Sequence, residues 1–123
     1  MNLVEILSNP VNGYTALAAE NKARFHGEGR RVLRQLAREL GLEKSEFDLR
    51  SNKGGAAVSG EVTLHTDRYY VQLSVSCCAG LGPVMYRLCD GQADYTGKQN
   101  HFADVDVLYE PNEFANRLRR LTS

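Results

Sequence analysis

The residues best suited to chemistry in this chain are cations, hydroxyls and aromatics, and they fall in three stretches. The first is Lys22-Ala23-Arg24-Phe25-His26-Gly27-Glu28-Gly29-Arg30-Arg31, with two glycines, a histidine and several cations where an amphipathic helix is expected to start. Free N–H groups at a helix start attract anions, and arginines placed there oppose the helix dipole unless an anion offsets them. The spacing is neither a phosphate loop nor a dinucleotide fingerprint. A helix that starts earlier and carries a solvated basic side accounts for the same residues. The second set is one face of a predicted sheet, with Arg50, Glu61, Thr63, His65, Tyr70 and Arg87 among its residues. Guanidinium forks match phosphate oxygens, hydroxyls bridge sugars, and tyrosine stacks on bases. A plain solvated face of an antiparallel sheet would also be polar. The third is the loop Asp90–Asn100, followed by His101 and Phe102. There Asp94 could accept from a ribose hydroxyl or an amine, and Tyr95 and Phe102 could close over a nucleoside. An ordinary polar connection is the competing account. The candidate ligand-binding residues are therefore Arg24, His26, Arg30, Arg50, His65, Arg87, Asp94, Tyr95, Asn100 and Phe102.

Catalytic patterns are weaker. Ser74, Ser76, Cys77 and Cys78 are available as nucleophiles, with His26, His65 and His101 as bases, but none sits in an elbow or triad context. Glu61 and His65, two alternations apart on one predicted strand, come nearest to an acid–base pair. Asp104 and Asp106 could share one side of an extended segment, with nothing to mark a raised pKa. The cysteines Cys77, Cys78 and Cys89 form no C-x-x-C, and no H-x-x-x-H accompanies them, so no metal site or cofactor is expected. Their odd number, two of them adjacent, suits a reducing compartment rather than a disulfide framework.

Two helices and four strands must position these residues. Val32, Leu33, Leu36, Ala37 and Leu40 give a helical stripe over Glu28–Leu40, with Gly41 as its stop and Arg30, Arg31, Arg34 and Arg38 on the opposite side. Strands follow at Phe47–Asn52, Ala57–His65, Tyr69–Cys77 and Val84–Cys89, the middle pair joined by a tight reversal at Asp67-Arg68. Short connections favour an antiparallel meander. Pro111 opens a last helix with Phe114, Leu118 and Leu121 on one face and arginines toward its end. The predicted fold class is α+β, an antiparallel meander sheet of four or more strands. A helix in the N-terminal half and a C-terminal helix pack on its Phe47/Val62/Leu73/Tyr86 face. Residues 1–22 read as an arm or a short helix at Tyr14–Asn21. The apolar pieces Leu3–Leu7 and Tyr14–Ala19 have little obvious core to join and suggest self-association.

Composition sets outer limits. At 123 residues the chain suits a single domain, 1–123, and its 42% hydrophobic content is enough for a core. Fifteen basic residues balance fifteen acidic ones, which argues against a protein that coats duplex nucleic acid while leaving room for a local basic pocket. No leader and no membrane-length apolar run stands out, so a cytoplasmic protein without a membrane partner is expected.

Several phrases carry a family likeness. Arg24-Phe25-His26-Gly27-Glu28-Gly29-Arg30-Arg31-Val32-Leu33, the run from Leu49 to His65, and Tyr86-Arg87-Leu88-Cys89-Asp90-Gly91 with Asp94-Tyr95-Thr96-Gly97 resemble small phage- and prophage-encoded proteins, the first type of Thoeris anti-defence sponge. Leu88 and Gln92 depart from the more polar or basic residues expected there. The resemblance spans about residues 24–102. It implies a non-enzymatic protein in the host cytosol that binds a cyclic ADP-ribose isomer made by TIR-domain enzymes and sequesters it uncleaved. It also implies a dimer or dimer-based hexamer, and in some members a second site for cyclic oligonucleotides. Two other functions remain open on the residues alone: a module that inhibits a host protein by docking through its sheet edge or polar face, and a small nucleotide hydrolase.

Overall fold

The structure is a computed structural model that describes residues 2–8, 19–53, 60–74, 82–92 and 98–122. Five strands form an antiparallel meander in chain order: β1 (Phe47–Asn52), β2 (Glu61–Thr66), β3 (Tyr69–Ser74), β4 (Val84–Leu88) and β5 (His101–Ala103). Alternation along β2, β3 and β4 sends Val62, Leu64, Tyr69, Val71, Leu73, Val84 and Tyr86 to one face, where they are buried. Helices α1 (Leu3–Ser8), α2 (Ala19–Glu39) and α3 (Pro111–Arg120) share a core with that face. The α+β architecture and the choice of covered face match the periodicity of the sequence. The fifth strand lies within the expected "four or more", but its three residues are too few to show an alternation of their own. The third and fourth expected strands begin where predicted, and Ala57–Ser59 and Val75–Cys77 lie outside the described residues.

Helix α2 begins at Ala19, not at Glu28. Gly27 and Gly29 read as breakers in sequence, yet Asn21, Phe25, Gly29, Val32 and Leu36 continue one stripe at helical spacing, and all five are buried. Gly29 lies where the helix meets the sheet. A Cβ there would come 3.0 Å from both Leu73 Cδ2 and Val62 Cγ2, closer than ordinary contact, whereas a Cβ at Gly27 would meet nothing within 4 Å. At the other end Gly41 takes a left-handed φ of 75° and the Leu42 N–H reaches back to the Ala37 carbonyl, closing the helix as expected of a glycine stop.

The N-terminal piece is a correction. Leu3 and Ile6 are fully buried in the common core rather than left for a second copy. The Leu3 N–H donates to Tyr109 Oη at 2.7 Å, which draws α1 onto the 3₁₀ turn Val105–Tyr109. That turn also replaces the extended segment expected to hold Asp104 and Asp106, both of which are exposed. Residues Tyr14–Ala18 lie outside the described set. The reversal between β2 and β3 is the expected two-residue Asp67-Arg68. Thr66 Oγ1 accepts from the N–H groups of Arg68 and Tyr69, and the Cys89 thiol donates to the Thr66 carbonyl at 3.2 Å.

The two glycines of α2 separate by experiment. Gly29→Ala should lower unfolding free energy by about 1–3 kcal/mol through overpacking. Gly27→Ala should raise it by about 0.5–1 kcal/mol, the usual gain of alanine over glycine inside a helix. Urea melts of both variants measure this, and equal shifts would mean that α2 does not seat on the sheet at Gly29.

Candidate functional site

Antiparallel register aligns the uncovered face of the sheet into rows. Asp48, His65, Tyr70 and Arg87 form one row, and Arg50, Thr63, Gln72, Met85 and Phe102 the next. In the first row the Arg87 guanidinium lies 4.6 Å from the centre of the Tyr70 ring, and His65 meets that ring edge-on at 5.1 Å and 82°. The Tyr70 hydroxyl donates to Gln72 Oε1 at 3.1 Å. His65 and Tyr70 are buried on this side, although none of the described helices covers it. Beside the row is a hollow of about 500 Å³ lined by Arg50, Asn52, Glu61, Thr63, His65 and Tyr70, with Ser51 at its edge. Arg50 is exposed at the rim, with its Nη2 3.3 Å from Asp48 Oδ2, a loose pair that leaves most of its fork directed at solvent. The hollow therefore offers one cation, one carboxylate, an imidazole, an aromatic ring and several neutral hydrogen-bonding groups.

The candidate residues from sequence divide between several places. Arg50 and His65 line this hollow, Arg87 reaches it through Tyr70, and Phe102 follows in the neighbouring row. Asn100 is exposed just ahead of β5. Asp94 and Tyr95 lie outside the described residues. Arg24, His26 and Arg30 are not brought to the hollow. Because α2 starts at Ala19, the N–H groups from Gly27 to Arg31 lie inside the helix, and the anion-binding helix start expected there is not formed. Arg24 is exposed with its Nη1 3.3 Å from Asn21 Oδ1. His26 is buried edge-on to Phe25 at 5.3 Å.

Arg30 belongs to a second groove, of about 340 Å³, on the opposite side of the sheet. Its wall is Arg30, Arg34, Arg38 and Lys44, and its floor is Leu42, Phe47 and Leu49. Sequence reading placed these arginines on a solvated helix side. The overlooked signal is their spacing of four, which sets Arg30, Arg34 and Arg38 in one line and leaves Arg31 on another. A third hollow, of about 300 Å³ at the β2–β3 reversal, sets Arg68 and Arg119 against Glu46 and Asp67, so its charges balance. Among the described residues, no group of three or more His, Cys, Asp or Glu side chains could hold a metal ion, and no helix is long and apolar enough to cross a membrane. Glu61 and His65 both line the first hollow.

One titratable cluster was not foreseen. Arg31 grips Glu28 with two bonds, Nε to Oε1 at 2.7 Å and Nη2 to Oε2 at 2.9 Å, and Tyr109 Oη donates to Glu28 Oε2 at 2.7 Å. Hydrogen bonding from Arg31 holds the Glu28 carboxyl below the usual carboxylate range, against the effect of burial, with Tyr109 adding to the lowering. Burial pushes the Tyr109 phenol up to about 12; the Leu3 N–H acts the other way, and the bond to Glu28 adds to the rise. Every member of the cluster joins α1, α2 and the 3₁₀ turn, so its role is structural. No family model, curated protein or solved structure matches the chain.

The cluster sets two pH limits. A lowered Glu28 pKa contributes stability above its ordinary value of 4.5 that is lost as pH falls through the folded value. A raised Tyr109 pKa contributes stability that is complete below pH 10.0 and is lost as pH rises toward about 12. Glu28→Gln should flatten the acid limb of a stability–pH curve and Tyr109→Phe the alkaline limb. Tyr109→Phe should also cost about 1–2 kcal/mol at neutral pH through two lost hydrogen bonds. Unchanged limbs in both variants would remove the cluster from the stability of the fold.

Proposed function

We propose that this chain binds a small anionic nucleotide in the hollow on the uncovered sheet face and holds it without cleaving it. The observation that carries this reading is the convergence of Arg50, Glu61, Thr63, His65 and Tyr70 on one hollow of about 500 Å³. That size falls within the range of small-ligand sites, about 300–1,000 Å³. Arg50 at the rim is placed for a phosphate, where a fork can meet two oxygens. Tyr70, held between Arg87 and His65, brings an aromatic ring to the wall of the hollow against which a base can pack. Glu61 and Thr63 suit ribose hydroxyls. Holding rather than hydrolysis is the reading that goes with the sequence resemblance; Glu61 and His65, which both line the hollow, are the residues a hydrolase would use.

The ligand class follows from the sequence resemblance. The proposed ligand is a cyclic ADP-ribose isomer, sequestered in the cytosol of a phage-infected host by a dimer or dimer-based hexamer. Sequestration asks for affinity and abundance rather than transition-state stabilisation.

Isothermal titration with cyclic ADP-ribose isomers, followed by heating and recovery of the ligand, tests this. Saturable binding with intact ligand returned is the expected result. Arg50→Ala should weaken binding by roughly 10–100-fold, the worth of a charge-assisted contact, with the melting temperature unchanged. Native mass spectrometry of the same samples gives assembly size and bound ligand together. Degraded ligand would point to a hydrolase, and wild-type affinity in Arg50→Ala would exclude the hollow as the site.

A further inference from the structure

Among the described residues, the sheet ends in two edge strands of unequal character. β5 is three residues long, whereas β1 has six residues and no described strand beyond it. Apart from their ladder with β2, Phe47–Ser51 make no backbone hydrogen bond to another described residue. The cationic groove runs along this edge on the α2 side. Arg30, Arg34 and Arg38 make no hydrogen bond or ion pair with a described residue, and neither does Lys44, while Arg31 on the next line of the same helix is gripped by Glu28. Among the described residues that line the groove there is no carboxylate.

We propose that this edge receives an extended acidic segment of a partner protein, added as a further antiparallel or parallel strand on β1. Two spacings support that occupant. Arginines four apart on a helix repeat about every 6 Å along its axis. Alternate side chains of a strand repeat about every 6.6–6.8 Å. On an added strand that runs alongside α2, carboxylates at alternate positions meet successive guanidiniums of the groove. Glutamate fits better than aspartate, because its methylenes can lie on Leu42, Phe47 and Leu49 while its carboxylate reaches the wall. The open backbone of β1 supplies the ladder, and the line of cations selects which strands are accepted. Cations beside an open edge also discourage copies of the chain from pairing there. The half-buried apolar floor, which a guard does not need, is the feature that favours a dedicated partner.

The test uses the full chain and a fluorescent peptide of about eight residues with glutamate at alternate positions and threonine between them. Anisotropy at physiological ionic strength should show saturable binding, and amides within Phe47–Ser51 should gain protection from hydrogen exchange. Arg34→Glu with Arg38→Glu should weaken binding by at least about tenfold. So should proline at the central threonine of the peptide, which keeps the charge but breaks the ladder. Nucleotide binding at the uncovered face should stay unchanged. If the charge-reversed pair melts early, Arg34→Gln with Arg38→Gln serves in its place. Equal binding by the proline peptide, by tripolyphosphate or by a thymidine oligonucleotide of matched charge would reduce the groove to diffuse attraction for anions. No peptide binding at all would make it an edge guard. Either result overturns the proposal.

Discussion

The seating of α2 on the sheet at Gly29 governs the arrangement of everything else. With no side chain at that position, the helix backbone approaches Val62 and Leu73 closely enough to bury Phe25, Val32, Leu33 and Leu36 around the contact. A helix fixed in height and rotation has its other faces fixed as well. Glu28 and Arg31 are turned toward Tyr109, and Arg30, Arg34 and Arg38 toward β1. The helix thus separates its charged residues into a set neutralised within the fold and a set left available at its edge.

The sheet makes a comparable separation. Its period of two sends aliphatic residues under the helices and gathers Arg50, Glu61, His65 and Tyr70 on the far side. Arg50 and Leu49 are neighbours in sequence, but they serve different hollows on opposite faces. The two hollows differ in character. The far-side hollow is nearly balanced in charge and rich in varied hydrogen-bonding groups, which suits a compact molecule with phosphate, sugar and ring. The groove beside α2 has one sign of charge and an oily floor, which suits something longer.

Much of this was legible in the sequence. Strand alternation and the helical stripe from Val32 to Leu40 are properties of local spacing, and they gave the covered face and the meander correctly. What was hidden depended on neighbours distant in the chain. Gly29 looks like a flexible joint until Val62 and Leu73 are set against it, and only then does it become the reason the helix can extend back to Ala19. Leu3 and Ile6 looked surplus because the core they join is assembled from α2, the sheet and the C-terminal segment together. The role of Tyr109 rests on a carboxylate 81 positions away. On the far sheet face, alternation predicted which side chains share a side but not that Arg87 would lie over Tyr70 and His65 meet it edge-on, since that follows from register across three strands.

The link between Leu3 and Tyr109 also bears on the order in which the molecule can be completed. The two residues are 106 positions apart, so their hydrogen bond closes a loop that takes in all five strands. Hairpins of the meander pair from contacts close in sequence, whereas this link forms only when two distant segments have been brought together, at a higher cost in loop-closure entropy. Local pairing of the sheet therefore comes before the tie between α1 and the 3₁₀ turn in the order that chain entropy favours.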